Sequence, residues 1–194
     1  MRVYERRLPH FDSVGRPLFV TFRLHGSLPA NRVFPPARLN SGSAFLALDK
    51  LLDIAASGPR FLARPEVAET VMGAMHDGER LNRYVLHAFV VMSNHVHVLV
   101  TPRVVGRQWL GPLKGYTGHL ANRLLGRHGR FWQDESYDHL VRDRDSFDRI
   151  KRYIEWNPVR AGLAGSPEEF PWSSATPPEK AAAAPKGLTP HNTV

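Results

Sequence analysis

One stretch near the middle of the chain constrains the fold more than any other. Residues 84–92 are apolar and β-prone. Residues 95–101 (HVHVLVT) largely alternate between polar and apolar side chains. The Ser-Asn pair at 93–94 between them suits a tight turn, so the pattern predicts an antiparallel hairpin. Because alternate side chains of a strand share a face, His95 and His97 point to one side and the intervening valines to the other.

Further strands and helices are predicted on both sides of this hairpin. Hydrophobic periodicity predicts strands over 17–24 and 135–141, and helices over 44–56, 65–76, 113–125 and 145–156. This alternation is typical of split βαβ units. We therefore expect an α+β protein, in which an antiparallel sheet carries helices packed on one face.

The length and the end of the chain define the expected domain organisation. A chain of 194 residues allows one compact domain plus tails. From Thr176 onward the sequence is rich in proline and alanine and has no aromatic residue, so little of it can be buried. We expect one domain over 1–175 and a disordered tail over 176–194. No apolar run is long enough for a signal peptide or a membrane span, so a cytoplasmic protein with no membrane partner is expected.

Charge and cysteine content limit the partners and the chemistry. The 26 Lys and Arg residues exceed the 18 Asp and Glu residues, which gives a net charge of +8. Such a surface favours polyanionic partners, with nucleic acid first. The chain contains no cysteine, which excludes thiolate zinc sites, iron–sulfur clusters and cysteine nucleophiles.

The two histidines of the hairpin form half of a possible metal site. Imidazole nitrogens bind several divalent metals, and His95 and His97 are predicted to share one strand face. A His-x-His pair also arises by chance in a chain with ten histidines. Two histidines with only a packing or surface role are therefore the alternative at this point.

A tyrosine and an asparagine lie four residues apart on the last predicted helix. This spacing places Tyr153 and Asn157 about 40° apart around an ideal helix, so both border its apolar stripe. Side chains at that border would face a cleft beside the sheet. A tyrosine packed at the sheet edge, and an asparagine that caps the helix before the following proline, are the alternative.

Four segments of the chain together resemble a known family. They are HAFVVMSNHVHVLVTP (87–102), FWQDESYDHLVRD (131–143), YIEWNPVRAGL (153–163) and PEEFPWSSA (167–175). Their conjunction is similar to the single-tyrosine HUH transposases, in particular the REP-associated tyrosine transposase branch. The resemblance implies a ferredoxin-like antiparallel sheet. It also implies a metal-dependent single-stranded DNA endonuclease and strand transferase, which acts on hairpin-forming repeats through a covalent phosphotyrosine.

The same resemblance assigns roles to individual residues. His95 and His97 fall on the two metal-ligand positions, and Asn157 falls on the position of a third ligand. Tyr153 falls on the position of the nucleophile. Because the ligands are nitrogen and oxygen atoms, we expect Mg²⁺ or Mn²⁺ as the metal.

Basic side chains would bind the phosphates of single-stranded or hairpin DNA. The candidates in or near the last two helices are Lys114, Arg123, Arg127, Arg142 and Arg152. The sequence does not decide between a monomer and a homodimer.

Several alternatives stay open at the level of sequence. Tyr116, on a basic helix, is a second candidate nucleophile. Substitutes for Asn157 as the third ligand are His119, Gln133 and His139. A basic α+β module that only binds nucleic acid is the rival without catalysis, and a relative that nicks DNA without transposing is the rival enzyme.

Overall fold

The computed structural model describes residues 2–5, 9–28, 52 and 58–177 of the chain. Its centre is a four-stranded sheet with the order β4-β5-β3-β6. The strands are β3 (Leu18–Arg23), β4 (Tyr84–Val91), β5 (His95–Pro102) and β6 (Tyr137–Leu140). All three pairs of neighbours are antiparallel. A separate two-stranded sheet is formed by β1 (Arg2–Glu5) and β2 (Pro9–Asp12).

Within the described ranges, four α-helices with defined bounds pack around the sheet. They are α1 (Pro65–Arg80), α2 (Gly106–Leu124), α3 (Arg144–Glu155) and the single turn α4 (Asn157–Arg160). Short 3₁₀ turns lie at Phe61–Ala63 and Pro167–Glu169. No described helix has the length and apolar character that a membrane span requires.

The sheet is apolar on both faces. Val20 and Phe22 of β3, with Val98 of β5, belong to the larger core, which α1 and α2 complete. Phe19 of β3 and Leu99 of β5 belong to a second core on the opposite face. Because successive side chains of a strand alternate between faces, each central strand contributes to both cores.

The predicted α+β class and the ferredoxin-like antiparallel sheet are confirmed. The two long helices α1 and α2 share one face, as expected. Helix α3 differs from the expectation, because it covers the other face, where Ile154 is fully buried in the second core. Burial of the apolar side chains on that face requires such a cover.

Most element boundaries lie within two residues of the sequence patterns, but two helices are longer than predicted and β1 and β2 were not predicted. Helix α1 ends at Arg80, four residues beyond the predicted end at 76. Helix α2 begins at Gly106, seven residues before the predicted start at residue 113. Its first turns contain Gly111 and Pro112, residue types that usually interrupt a helical pattern. Apart from Leu52, which is helical and buried, the helix predicted over 44–56 lies outside the described residues, as does the predicted tail from residue 178 onward.

The last described segment of the chain adds to the edge of β4. The amide of Val91 donates to the carbonyl of Trp172 at 2.9 Å, and the amide of Ser174 donates to the carbonyl of Phe89 at 3.0 Å. Phe170, at the start of this segment, is buried in the second core. The segment therefore satisfies backbone groups at a sheet edge and closes the core beneath α3.

Two glycines of α1 provide a test of this packing. A Cβ at Gly78 would overlap the ring of Tyr84, whose hydroxyl donates to the Met75 carbonyl at 2.7 Å. A Cβ at Gly73 would meet nothing within 4 Å. We expect Gly78→Ala to lower the free energy of unfolding by about 1–3 kcal/mol. Gly73→Ala should raise it by about 0.5–1 kcal/mol, as measured by urea denaturation. Equal effects of the two substitutions would contradict this packing.

Candidate functional site

Two buried histidines of β5 lie on the face of the sheet that α3 covers. His95 and His97 are both fully buried, and their ring centroids are 4.6 Å apart. The two Nε2 atoms approach each other to 3.1 Å. The prediction that both imidazoles share one strand face is therefore correct, and their Nε2 atoms point to one place.

A neighbouring amide fixes the orientation of the first ring. Asn94 donates through its side-chain nitrogen to the Leu52 carbonyl at 2.9 Å, so its oxygen faces His95. The His95 Nδ1 lies 2.7 Å from that oxygen. Since an amide oxygen only accepts hydrogen bonds, Nδ1 carries the proton, and Nε2 of a neutral His95 presents a lone pair.

A hydroxyl on the neighbouring strand holds the second ring. Thr21 stands directly opposite His97 in the pairing of β3 with β5, and its Oγ1 lies 2.7 Å from His97 Nδ1. A hydroxyl can donate or accept, so it accommodates either tautomer of His97. Thr21 was not predicted as a partner of His97, because neither strand alone determines the register of β3 against β5.

Tyr153 of α3 packs against the histidine pair. Its ring centroid lies 5.9 Å from that of His97 and 6.4 Å from that of Phe19. The Tyr153 hydroxyl oxygen and the side-chain oxygen of Asn157 are both shielded from solvent, and Asn157 is fully buried. The structure thus brings His95, His97 and Tyr153 together, and it buries Asn157 one helical turn beyond Tyr153.

Local sequence explains how the last helices present these side chains. Asp143 caps the N-terminus of α3 by accepting a hydrogen bond from the Ser146 amide at 2.7 Å, which lowers the pKa of its carboxyl. Helix α3 ends at Glu155 with Trp156 as its C-cap, and α4 begins directly afterwards with Asn157. Pro158 therefore lies in the first turn of a new helix, where its missing amide hydrogen is tolerated.

The described residues limit what could complete a metal site. Among them, no group of three or more His, Asp or Glu side chains is arranged to hold a metal ion. Within the described part of the chain, the donors that could join the two imidazoles are therefore neutral oxygen atoms, such as the buried side-chain oxygen of Asn157. Two imidazoles with neutral oxygen donors suit a divalent cation that keeps positions open for a substrate.

Two of the alternative candidates, Tyr116 and His119, lie on the opposite side of the sheet on α2. Tyr116 projects from α2 and is 56% exposed. His119 and Gln133 line a cavity of about 680 Å³ between α2, the segment 129–136 and the α2-facing side of β3. Because the sheet separates the Tyr116 and His119 side chains from the histidine pair, they cannot act on a group held by His95 and His97. The Gln133 side chain contacts His25 instead, since its Oε1 lies 3.3 Å from His25 Nδ1.

The fourth alternative, His139, lies on the same face as the pair. It stands opposite Phe19 in the pairing of β3 with β6. Burial lowers the pKa of His139, and the nearby Arg142 lowers it further. In the described structure, however, His139 does not form a metal-holding group with His95 and His97.

The predicted DNA-contacting cations fall into two groups. Arg142 and Arg152 are exposed beside or on α3, the helix that carries Tyr153. Arg123 and Arg127 lie at the end of α2, and the Arg127 guanidinium carbon is 4.5 Å from the centre of the Phe61 ring. The first group is next to the histidine face.

Lys114 also has an internal role. Its ammonium donates to the carbonyls of Gln133 and Asp134 at 2.7 and 3.0 Å. Burial lowers the pKa of Lys114 from 10.5 to about 8, although nearby carboxylates, first that of Asp134, act in the opposite direction. Lys114 therefore fastens the segment before β6 to α2.

The chain is similar to known proteins in sequence and in fold. A family model described as "Transposase IS200 like" matches residues 60–157, which include His95, His97, Tyr153 and Asn157. A solved structure described as "Structure of the REP associates tyrosine transposase bound to a REP hairpin" has a TM-score of 0.55 and 18% identity. The match covers 95% of this chain and 87% of that chain. At this identity the likeness shows a shared fold. No curated protein matches the chain.

The environment of Lys114 makes stability depend on pH in a defined direction. Because its pKa is lower in the folded chain than the ordinary value of 10.5, the unfolded chain binds this proton more tightly. The contribution of Lys114 to the free energy of unfolding should then rise with pH between about 8 and 10.5. We expect the free energy of unfolding of wild type minus that of Lys114→Met to become more positive as the pH rises through this window. Urea denaturation at several pH values measures this difference. A pH-independent difference would contradict the burial of this ammonium group.

Proposed function

The chain belongs to the IS200-like transposases, and from this premise we propose that it cleaves and rejoins single-stranded DNA through a covalent phosphotyrosine, with a divalent metal bound at the histidine pair. The observation that carries the proposal is the contact between the Tyr153 ring and His97, in a site where two imidazole nitrogens face each other. This contact supports a nucleophile and a site for phosphate activation on the same face of the sheet.

The residues at the histidine pair fit a divalent cation. Two Nε2 atoms 3.1 Å apart can share one cation, while Asn94 and Thr21 hold the opposite nitrogens. Asn157 would add its side-chain oxygen as the third ligand. A bound Mg²⁺ or Mn²⁺ would stabilise the negative charge that builds on the phosphate oxygens during cleavage.

Tyr153 would act as the nucleophile. Its hydroxyl oxygen attacks the phosphorus and releases its proton to water, while the bond from phosphorus to the 3′ oxygen breaks. The 3′ oxygen takes up a proton and leaves as a hydroxyl, so the 5′ phosphate is joined to Tyr153. One phosphorus–oxygen bond replaces another, and the linkage can later be attacked by a 3′ hydroxyl to rejoin DNA.

The proposed substrate is single-stranded DNA next to a hairpin. The similar structure is described as bound to a REP hairpin, and the net charge of +8 favours such a polyanion. Exposed Arg142 and Arg152, beside the helix that carries Tyr153, would bind its phosphates, and Arg123 and Arg127 would extend the contact along α2. Location in the cytoplasm stays a prediction.

Covalent capture of DNA tests the nucleophile. After incubation with labelled hairpin DNA and Mn²⁺, we expect a protein–DNA band that survives denaturing electrophoresis. Tyr153→Phe should abolish the band because it removes the attacking oxygen, whereas Tyr116→Phe should retain it because Tyr116 lies across the sheet. Loss of the band in Tyr116→Phe with retention in Tyr153→Phe would overturn the assignment.

The partner of His97 provides a test of the metal site. Thr21→Val keeps the shape of the side chain but removes the hydroxyl that orients His97. We expect its affinity for Mn²⁺, measured by isothermal titration calorimetry, to fall about tenfold. Thr21→Ser keeps a hydroxyl and should stay close to wild type. An unchanged affinity in Thr21→Val would show that this hydroxyl does not support a metal ligand.

A further inference from the structure

An arginine of α4 lies over the ring of the proposed nucleophile. The guanidinium carbon of Arg160 is 4.0 Å from the centre of the Tyr153 ring. Arg160 follows Tyr153 by seven residues, which is close to two helical turns. Because side chains lean toward the N-terminus of a helix, a long side chain at this position reaches back over the residue two turns earlier.

Three groups together define the place of the Tyr153 ring. Phe19 meets it edge to face, with an angle of 79° between the ring planes, and His97 lies on the side of the sheet. Arg160 is exposed and covers the ring from the solvent side. The Tyr153 ring is thus packed between side chains of the sheet and the Arg160 guanidinium.

We propose that Arg160 is a positioning residue for Tyr153, which holds the phenol ring in its attacking orientation and stabilises the negative charge that the phenol oxygen acquires. This inference rests on the proposed function of Tyr153. A cation over an aromatic face is attracted by the ring electrons. That attraction grows when the hydroxyl loses its proton on attack, since part of the resulting charge is delocalised into the ring.

The same contact would act on the reverse step. When a 3′ hydroxyl attacks the phosphotyrosine, it loses its proton to water, and the bond from phosphorus to the Tyr153 oxygen breaks. The phenol oxygen leaves with the electron pair and is then protonated by water. Because the guanidinium is the same cation in both steps, Arg160 can stabilise the tyrosine oxygen both as nucleophile and as leaving group.

The chain contains a matched control on α3. The guanidinium carbon of Arg144 lies 5.9 Å from the centre of the Phe147 ring, and this arginine also pairs with Asp148. Arg144→Gln therefore removes an exposed cation from an aromatic face of the same helical region without changing a contact of Tyr153.

The experiment separates the rate of the chemical step from DNA binding. Full-length variants are incubated with Mn²⁺ and a saturating labelled DNA hairpin that carries randomised single-stranded flanks, and the single-turnover rate of adduct formation is measured. The Kd for the same DNA is measured by fluorescence anisotropy. We expect Arg160→Gln to slow adduct formation about tenfold, with Kd changed by less than about twofold.

Two further variants complete the test. Arg160→Lys, which keeps the charge but lacks the flat guanidinium, should recover part of the lost rate. Arg144→Gln should react at the wild-type rate. A wild-type rate in Arg160→Gln would overturn the inference. So would a rate loss that only mirrors weaker DNA binding, or an equal loss in Arg144→Gln. If the wild-type chain forms no adduct, the proposed function fails, and the role of Arg160 fails with it.

Discussion

The pairing of β5 with β3 is the interaction on which the rest of the structure depends. Its register places His97 opposite Thr21 and Val98 opposite Val20, so one strand supplies valines to the larger core and imidazoles to the other face. A slip of one residue would turn the histidines into the apolar core under α1 and α2. Burial of the valines in the larger core therefore fixes the face to which the two histidines point. The geometry of the site thus depends on core packing.

The face of the sheet that carries His95 and His97 is covered by two consecutive helices, α3 and α4, and these helices supply the other side chains of the candidate site. Capping by Asp143 sets where α3 begins, and the immediate restart of the helix after Trp156 keeps the chain helical through Pro158. Tyr153, Asn157 and Arg160 follow at intervals of four and three residues along this path. A helical repeat thus aligns a phenol, an amide and a guanidinium over one strip of the sheet.

Much of this arrangement follows from local patterns in the sequence. The alternation in β5 predicted both the strand and the shared face of His95 and His97, and helical spacing placed Tyr153 with Asn157. Contacts between distant segments were not predictable in this way. The position of α3 on the opposite face, the Thr21 hydroxyl on His97 and the lysine bonds to the Gln133 carbonyl all depend on strand order and register, which are set by the whole core. The first turns of α2 were not predicted for a different reason. Proline usually interrupts a helix, and at Pro112 tertiary packing overrides this local preference.

The proposed function requires that one face of the sheet bind a divalent cation between two imidazoles, with Tyr153 beside it. Paramagnetic broadening by bound Mn²⁺, observed by ¹⁹F NMR in protein labelled with 3-fluorotyrosine, measures this proximity directly. Comparison with Tyr153→Phe and Tyr116→Phe assigns the two resonances among the five tyrosines. We expect one equivalent of Mn²⁺ to remove the Tyr153 signal and to broaden the Tyr116 signal far less, because the broadening falls steeply with distance from the ion. A sharp Tyr153 signal in the presence of bound Mn²⁺ would contradict this expectation.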